Sequence, residues 1–237
     1  DSSNNEYIEI VPLDVTVVIG DVEAVYGEWT ARNAANKSRL LTGYTVTTAI
    51  PDAESLLNIV LSVNTNGATG TLAVGDYDIS LTWRNANYNI VFEKATLSVT
   101  PADIDVNFRD IVKYADENGQ QLSLSTSLVS LKGEGNTATI SYVSDLALVD
   151  GLVFADEDYA STIPTTPTEA GVYYLYYKVE AANHNTYYGS VKVTLESSVL
   201  EIEVSLNKSY IYGDKLPTSA ELKQLLTITG VKHNGVA

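Results

Sequence analysis

No cysteine occurs in the 237 residues, which removes disulfide frameworks and thiolate chemistry together and leaves the compartment unreadable from redox usage. Basic residues are scarce: 14 Lys and Arg stand against 30 Asp and Glu, for a net charge of -16. Such a field repels nucleic-acid phosphates and anionic lipid surfaces, so neither is expected as a partner. Long apolar runs are missing as well. No stretch approaches the roughly 18 residues of a membrane-spanning helix, so no membrane insertion is expected of this chain. The opening DSSNNEYIEI has neither the basic start nor the apolar centre of a secretion signal. For an exported protein, signal and anchor are expected outside this chain.

Histidine is nearly absent. His184 and His233 are the only two, neither has a second His or Cys at a ligand spacing, and no G-x-S-x-G occurs. KGEGN, residues 132–136, is a G-x-G fragment without a helix pattern behind it and reads as a turn. Neither catalytic residues nor a cofactor are expected. With 45% hydrophobic and 19% charged residues, the composition is that of a folding chain.

What is present is repetition. GDYDISLTWRNANYNIVFEKATLSVT starts at Gly75, GVYYLYYKVEAANHNTYYGSVKVTL at Gly171, and 171 minus 75 gives an offset of 96. Without a gap that offset places Tyr77 on Tyr173, Ala86 on Ala182, Asn87 on Asn183, Asn89 on Asn185 and Tyr88 on His184. His184 is therefore read as a hairpin residue. Tyr26-Gly27-Glu28 recurs as Tyr212-Gly213-Asp214, and the middle copy is degraded to Tyr114-Ala115. These landmarks divide the chain into a first repeat module over 1–100, a second over 101–196 and the start of a third over 197–237, expected to be truncated.

Tyr77, Ile79, Leu81 and Trp83 alternate with polar residues, the period of a half-buried strand. RNANYN then supplies turn formers, and IVFEKATLSVT is expected to return as the partner strand, with Pro101 closing the module. IEIVPLDVTVVI, GYTVTTAI, LLNIVLSVN, ATISYVS and VLEIEVSL also read as strands. EWTARNAANKSRLL and PTSAELKQLLTI read as helices, the second capped by Thr218 or Ser219 with Glu221 in its first turn. The expected fold is mostly β, built of tandem immunoglobulin-like sandwich modules of about 100 residues each. A β-grasp-like module with one short helix is the alternative.

The Tyr-Gly stretch near a module's start and the GDYDI and ANYNIVFEKATLSVTPADI segments at its end resemble the MBG-type and immunoglobulin-like repeats of bacterial cell-surface proteins. The resemblance implies an extracellular, surface-displayed segment without catalytic residues of its own, acting as stalk, spacer or adhesin region. Its partners would be neighbouring repeats and a host or extracellular glycan or protein.

The remaining residues offer two kinds of site. Moving the first repeat's inward set by 96 puts Tyr173, Leu175, Tyr177 and Val179 inside, so Tyr174 and Tyr176 take the outward places of Asp78 and Ser80, and Tyr188 that of Phe92. A loop or neighbouring module covering these rings is one reading; the other is a flat aromatic platform for a sugar or peptide. Oxygen ligands for calcium could come from Asp103 and Asp105 beside Pro101, from Asp116 and Glu117, or from Asp156, Glu157 and Asp158. None has the ordered spacing of a dedicated loop, and solvated acids are expected. Asn87 and Asn183 recur as the Asn of a Lys-Asn isopeptide bond would, but both sit in expected turns.

Overall fold

The computed structural model describes residues 8–30, 44–50, 52, 57–206 and 208–233. The chain divides into two compact units, one comprising Asp1–Val106, Val129–Thr139 and Val179–Tyr187, the other Asn107–Leu128, Ile140–Lys178 and Tyr188–Ala237. The structure is mostly β, in several sheets. No helix among the described residues is long and apolar enough to cross a membrane.

The first unit is dominated by β1 (Leu13–Ile19), β2 (Val22–Val25), β3 (Tyr44–Val46), β4 (Val60–Val63), β5 (Gly75–Thr82), β6 (Tyr88–Phe92), β7 (Ala95–Thr100) and the two-residue β8 (Asp105–Val106). One sheet has the order β3-β1-β6 and another β2-β7-β5-β4. Alternation turns one face of each strand inward. Val15, Val17 and Ile90 from the three-stranded sheet and Leu61, Ile79, Leu97 and Val99 from the four-stranded one belong to a single core. Each sheet thus covers the other's apolar face.

IVFEKATLSVT is not one strand. Tyr88–Phe92 runs parallel to β1, pairing Leu13 with Tyr88 and Val17 with Phe92. The chain then leaves that sheet at Glu93-Lys94, and only Ala95–Thr100 lies antiparallel to β5, with Gly75 opposite Val99. The indole of Trp83 donates to the Tyr88 carbonyl at 3.0 Å, holding the turn from which the chain departs.

The second unit contains most of a five-stranded sheet. Its strands are β9 (Ile111–Tyr114), β11 (Thr139–Val143), β12 (Tyr159–Ala160), β13 (Gly171–Glu180) and β14 (Tyr187–Glu196), in the order β12-β11-β13-β14-β9. The short β10 (Val129–Ser130) pairs with β8. Within the five strands, β11-β13-β14-β9 repeats the first module's order β4-β5-β7-β2. Registers correspond too: β2 lies parallel to β7 with Val22 opposite Leu97, and β9 parallel to β14 with Ile111 opposite Val193.

The Tyr-Gly landmark is a turn. In Val25–Glu28 the Glu28 N–H donates to the Val25 carbonyl at 3.0 Å, the Glu28 carboxylate accepts from the Val25 N–H at 3.3 Å, and Gly27 takes φ +89°. Ile211–Asp214 copies it, with 3.0 Å for the backbone bond, 2.9 Å to the Asp214 carboxylate and φ +100° at Gly213. A positive φ at the third position is what a type II turn asks of glycine. In the middle copy, Ala115 donates to the Glu196 carbonyl at 2.8 Å as Tyr26 does to Thr100. Ala115 therefore stands where Tyr26 does, one residue on from the expected Tyr114, and the turn slides to Asp116–Gly119.

His184 lies in the turn between β13 and β14. Its Nε2 accepts from the Lys132 N–H at 3.0 Å, and its ring edge meets Tyr26 at 5.4 Å. Asn183 adopts φ +62°, and its carboxamide oxygen accepts from the Val74 N–H. Both are turn residues in use.

At the far end, β15 (Leu200–Leu206) pairs antiparallel with β16 (Leu226–His233). The helix α1 (Ser219–Leu225) precedes β16; Thr218 caps it, and Glu221 returns a bond to the cap, as expected. The expected helix EWTARNAANKSRLL falls largely outside the described residues.

Candidate functional site

Strict alternation along β13 sends Tyr173, Leu175, Tyr177 and Val179 into the core, where none is more than 7% exposed. Tyr177 meets Phe108 edge-on at 5.0 Å. The other parity, carrying Tyr174, Tyr176 and Lys178, faces the opposite way, with Tyr188 and Ser190 of β14 on the same side.

That outer face is covered where the first module's is bare. Residues 144–158 fold back over it. Ala147 and Tyr174 exchange backbone hydrogen bonds of 3.0 and 2.8 Å. The Tyr176 hydroxyl donates to the Val149 carbonyl at 3.1 Å and accepts from the Leu152 N–H at 2.9 Å. Phe154 closes over the Tyr176 ring at 4.9 Å. Tyr176 ends 5% exposed, so the open platform of Tyr174, Tyr176 and Tyr188 does not form. The physical reason is local: a buried phenol needs partners, and this loop's backbone supplies both.

Tyr188 does remain accessible, at 47%. Its ring stands 5.7 Å from that of Tyr159, and its hydroxyl donates to Asp156. Lys178, although only 8% exposed, brings its ammonium 3.8 Å from Asp156 Oδ1 and 5.8 Å from the centre of the Tyr159 ring. Burial, reinforced by Asp156 and Asp158, raises the Tyr159 phenol above its ordinary pKa. Beside this cluster is a cavity of about 260 Å³ bounded by Asp150, Phe154, Tyr159, Tyr176, Tyr188 and Ser190 among others. Ser190 donates to Asp150 at 2.9 Å, so the cavity has aromatic walls and a fixed polar edge.

Sequence reasoning had Tyr188 here and missed Phe154, Tyr159, Lys178, Asp150 and Ser190. Lys178 was within reach, since it takes the outward place of Thr82 at the same offset of 96. Tyr159 was overlooked beside the acids of DED.

The calcium candidates are dispersed. Asp103 accepts from the Asn185 side chain, Asp105 lies exposed in β8, Asp156 serves Tyr188 and Lys178, and Asp158 accepts from the Ala155 N–H. Among the described residues no three His, Cys, Asp or Glu side chains gather as a metal site would require. No protein-family model matches this chain, and no curated protein resembles it closely enough to count as a relative.

Proposed function

We propose that the chain is a non-catalytic run of tandem immunoglobulin-like modules, a stalk or adhesin segment displayed on a bacterial cell surface. The observation that carries this reading is the recurrence of one four-strand order, β4-β5-β7-β2 and β11-β13-β14-β9, each with a parallel strand from the module's opening beside its closing strand. Two sheets sharing a core in the first unit favour the sandwich over a β-grasp module, which would pack one sheet on a helix. Such an array gives a surface protein reach. Antibody labelling of intact cells tests it: labelling without permeabilisation is expected, and a signal that appears only after permeabilisation overturns it.

A second reading has its own observation. The cavity between Tyr159, Tyr188 and Phe154, edged by Asp150 and Ser190, offers stacking faces and hydrogen-bonding groups suited to a neutral saccharide. A glycan array probed with the chain and with Tyr188→Ala separates the two readings. Spots lost in the variant support a lectin-like site, and an array blank for both leaves the spacer reading alone.

A further inference from the structure

Asn-Gly occurs at Asn66-Gly67, Asn118-Gly119 and Asn234-Gly235, the last outside the described residues. The dipeptide has a chemistry of its own, because a glycine without a Cβ lets its backbone nitrogen approach the asparagine side chain in front of it. The first two copies stand in turns of different design.

The turn over residues 65–68 is closed by the Ala68 N–H, which donates to the Thr65 carbonyl at 2.9 Å. Asn66 takes φ +51° and Gly67 φ +84°, the two positive values of a type I′ turn. Gly67 thus stands inside the turn, and its own N–H is not the one that closes it. Both residues are exposed. The Asn66 N–H donates to Asn64 Oδ1 at 3.1 Å, but among the described residues nothing accepts from the Gly67 N–H or bonds the Asn66 carboxamide. A nucleophile and an electrophile lie side by side, open to water.

Asn118-Gly119 reverses this. The Gly119 N–H is itself the closing donor, 3.0 Å from the Asp116 carbonyl. Just beyond it the Gln120 N–H donates to Thr166 Oγ1 at 2.9 Å, and the Thr166 N–H to the Gln120 carbonyl at 2.8 Å. A Cβ on Gly119 would lie 2.5 Å from Thr165 Cγ2 and 2.6 Å from the Thr166 carbonyl oxygen, so this backbone is wedged. Its nitrogen reaches the Asn118 side chain only after the turn has opened.

We propose that Asn66 is a site of spontaneous modification by water, converted to aspartate and isoaspartate while Asn118 of the folded chain is spared. The Gly67 nitrogen gives its proton to water or hydroxide and bonds to Asn66 Cγ. The Cγ–Nδ2 bond then breaks, and Nδ2 takes up a proton and leaves as ammonia. Water opens the resulting five-membered imide at either carbonyl, giving aspartate or an isoaspartate whose main chain runs through the former side chain. No electrons are exchanged. Each product adds a negative charge, and isoaspartate also puts an extra backbone carbon into the turn that Ala68 closes.

The test holds the chain in mildly alkaline buffer, folded and in enough urea to unfold it, and maps acid-digested samples by mass spectrometry over weeks. Folded, Asn66 is expected to convert about tenfold or more faster than Asn118, because a bonded amide must first open. Unfolded, the two should convert at nearly the same rate, since the dipeptide is the same. Equal rates in the folded chain, or Asn118 ahead of Asn66, overturns the proposal. So does a folded Asn66 still intact when the urea sample has converted. Gly67→Ala in urea, where no fold interferes, should slow conversion of Asn66 by about tenfold, since the added Cβ crowds the attacking nitrogen. An unchanged rate there rules out the backbone route.

Discussion

The two closing hairpins, 96 residues apart, share their inner faces and part company on their outer ones. In the first, Ser80 meets Ser62 hydroxyl to hydroxyl at 2.8 Å on an exposed surface. In the second the corresponding residue is Tyr176, capped by a loop and 5% exposed. The first also breaks at Glu93-Lys94 to feed β6 into another sheet, whereas β14 runs ten residues without interruption. Inner positions are fixed by a shared core, so they repeat; outer positions are free to be recruited, and in the second module they hold a loop and shape a cavity.

The largest expected effects are at the inner positions and should be equal. Ile79→Ala and Leu175→Ala, equivalent residues 2% and 0% exposed, should each cost about 2–5 kcal/mol. Urea denaturation followed separately by tryptophan fluorescence, which Trp29 and Trp83 supply, and by near-ultraviolet tyrosine signals checks this, and a large loss in only one variant breaks the equivalence. The turns come next. Alanine at Gly27 meets a positive φ and also the Lys132 side chain, whose Cβ would lie 2.9 Å away, whereas Gly213 has open space. Gly27→Ala should cost about 2–3 kcal/mol and Gly213→Ala about 1 kcal/mol, measured by thermal unfolding.

Outer positions should separate the modules. Tyr176→Phe leaves the Leu152 N–H and the Val149 carbonyl without their phenol, at a cost of about 1–3 kcal/mol, whereas Ser80→Ala should stay within about 0.5 kcal/mol. Faster exchange of the Leu152 amide in Tyr176→Phe is the direct readout. The smallest effect is at Tyr159. Its phenol is raised by burial and by Asp156 and Asp158, so the folded state keeps the proton better than the unfolded one. That contribution is fully present below about pH 10 and is lost as pH rises through the folded value. Tyr159→Phe should therefore flatten the alkaline limb of a stability profile and leave its slope around pH 7 unchanged.

Local chemistry was legible in the sequence. Thr218 and Glu221 announce a capped helix by spacing alone, and the glycine turns by composition. Alternation separated inner from outer residues of β13 correctly, because parity needs no knowledge of partners. The cover over Tyr176 was not legible: it is contributed by residues about 25 positions upstream whose own sequence, LVDGLVF, has no period. The departure of β6 was hidden for a related reason, since IVFEKATLSVT keeps a strand-like composition through the break, and only the competing partner β1 decides that its two halves lie in different sheets. The one-residue slip at Ala115 is a register fact, visible only once the Glu196 carbonyl is seen to accept its N–H.

The parallel pairs β2–β7 and β9–β14 carry a mechanical meaning. When a chain is drawn out by its two ends, an antiparallel pair at the termini opens like a zipper, one rung at a time. A parallel pair made of an early and a late strand is instead pulled along its length, so that evenly spaced hydrogen bonds bear the load together and must fail together. Val22 to Val25 and Ile111 to Tyr114 are only four residues each and follow β1 and β8 in the chain, yet against β7 and β14 they would oppose such a pull in shear.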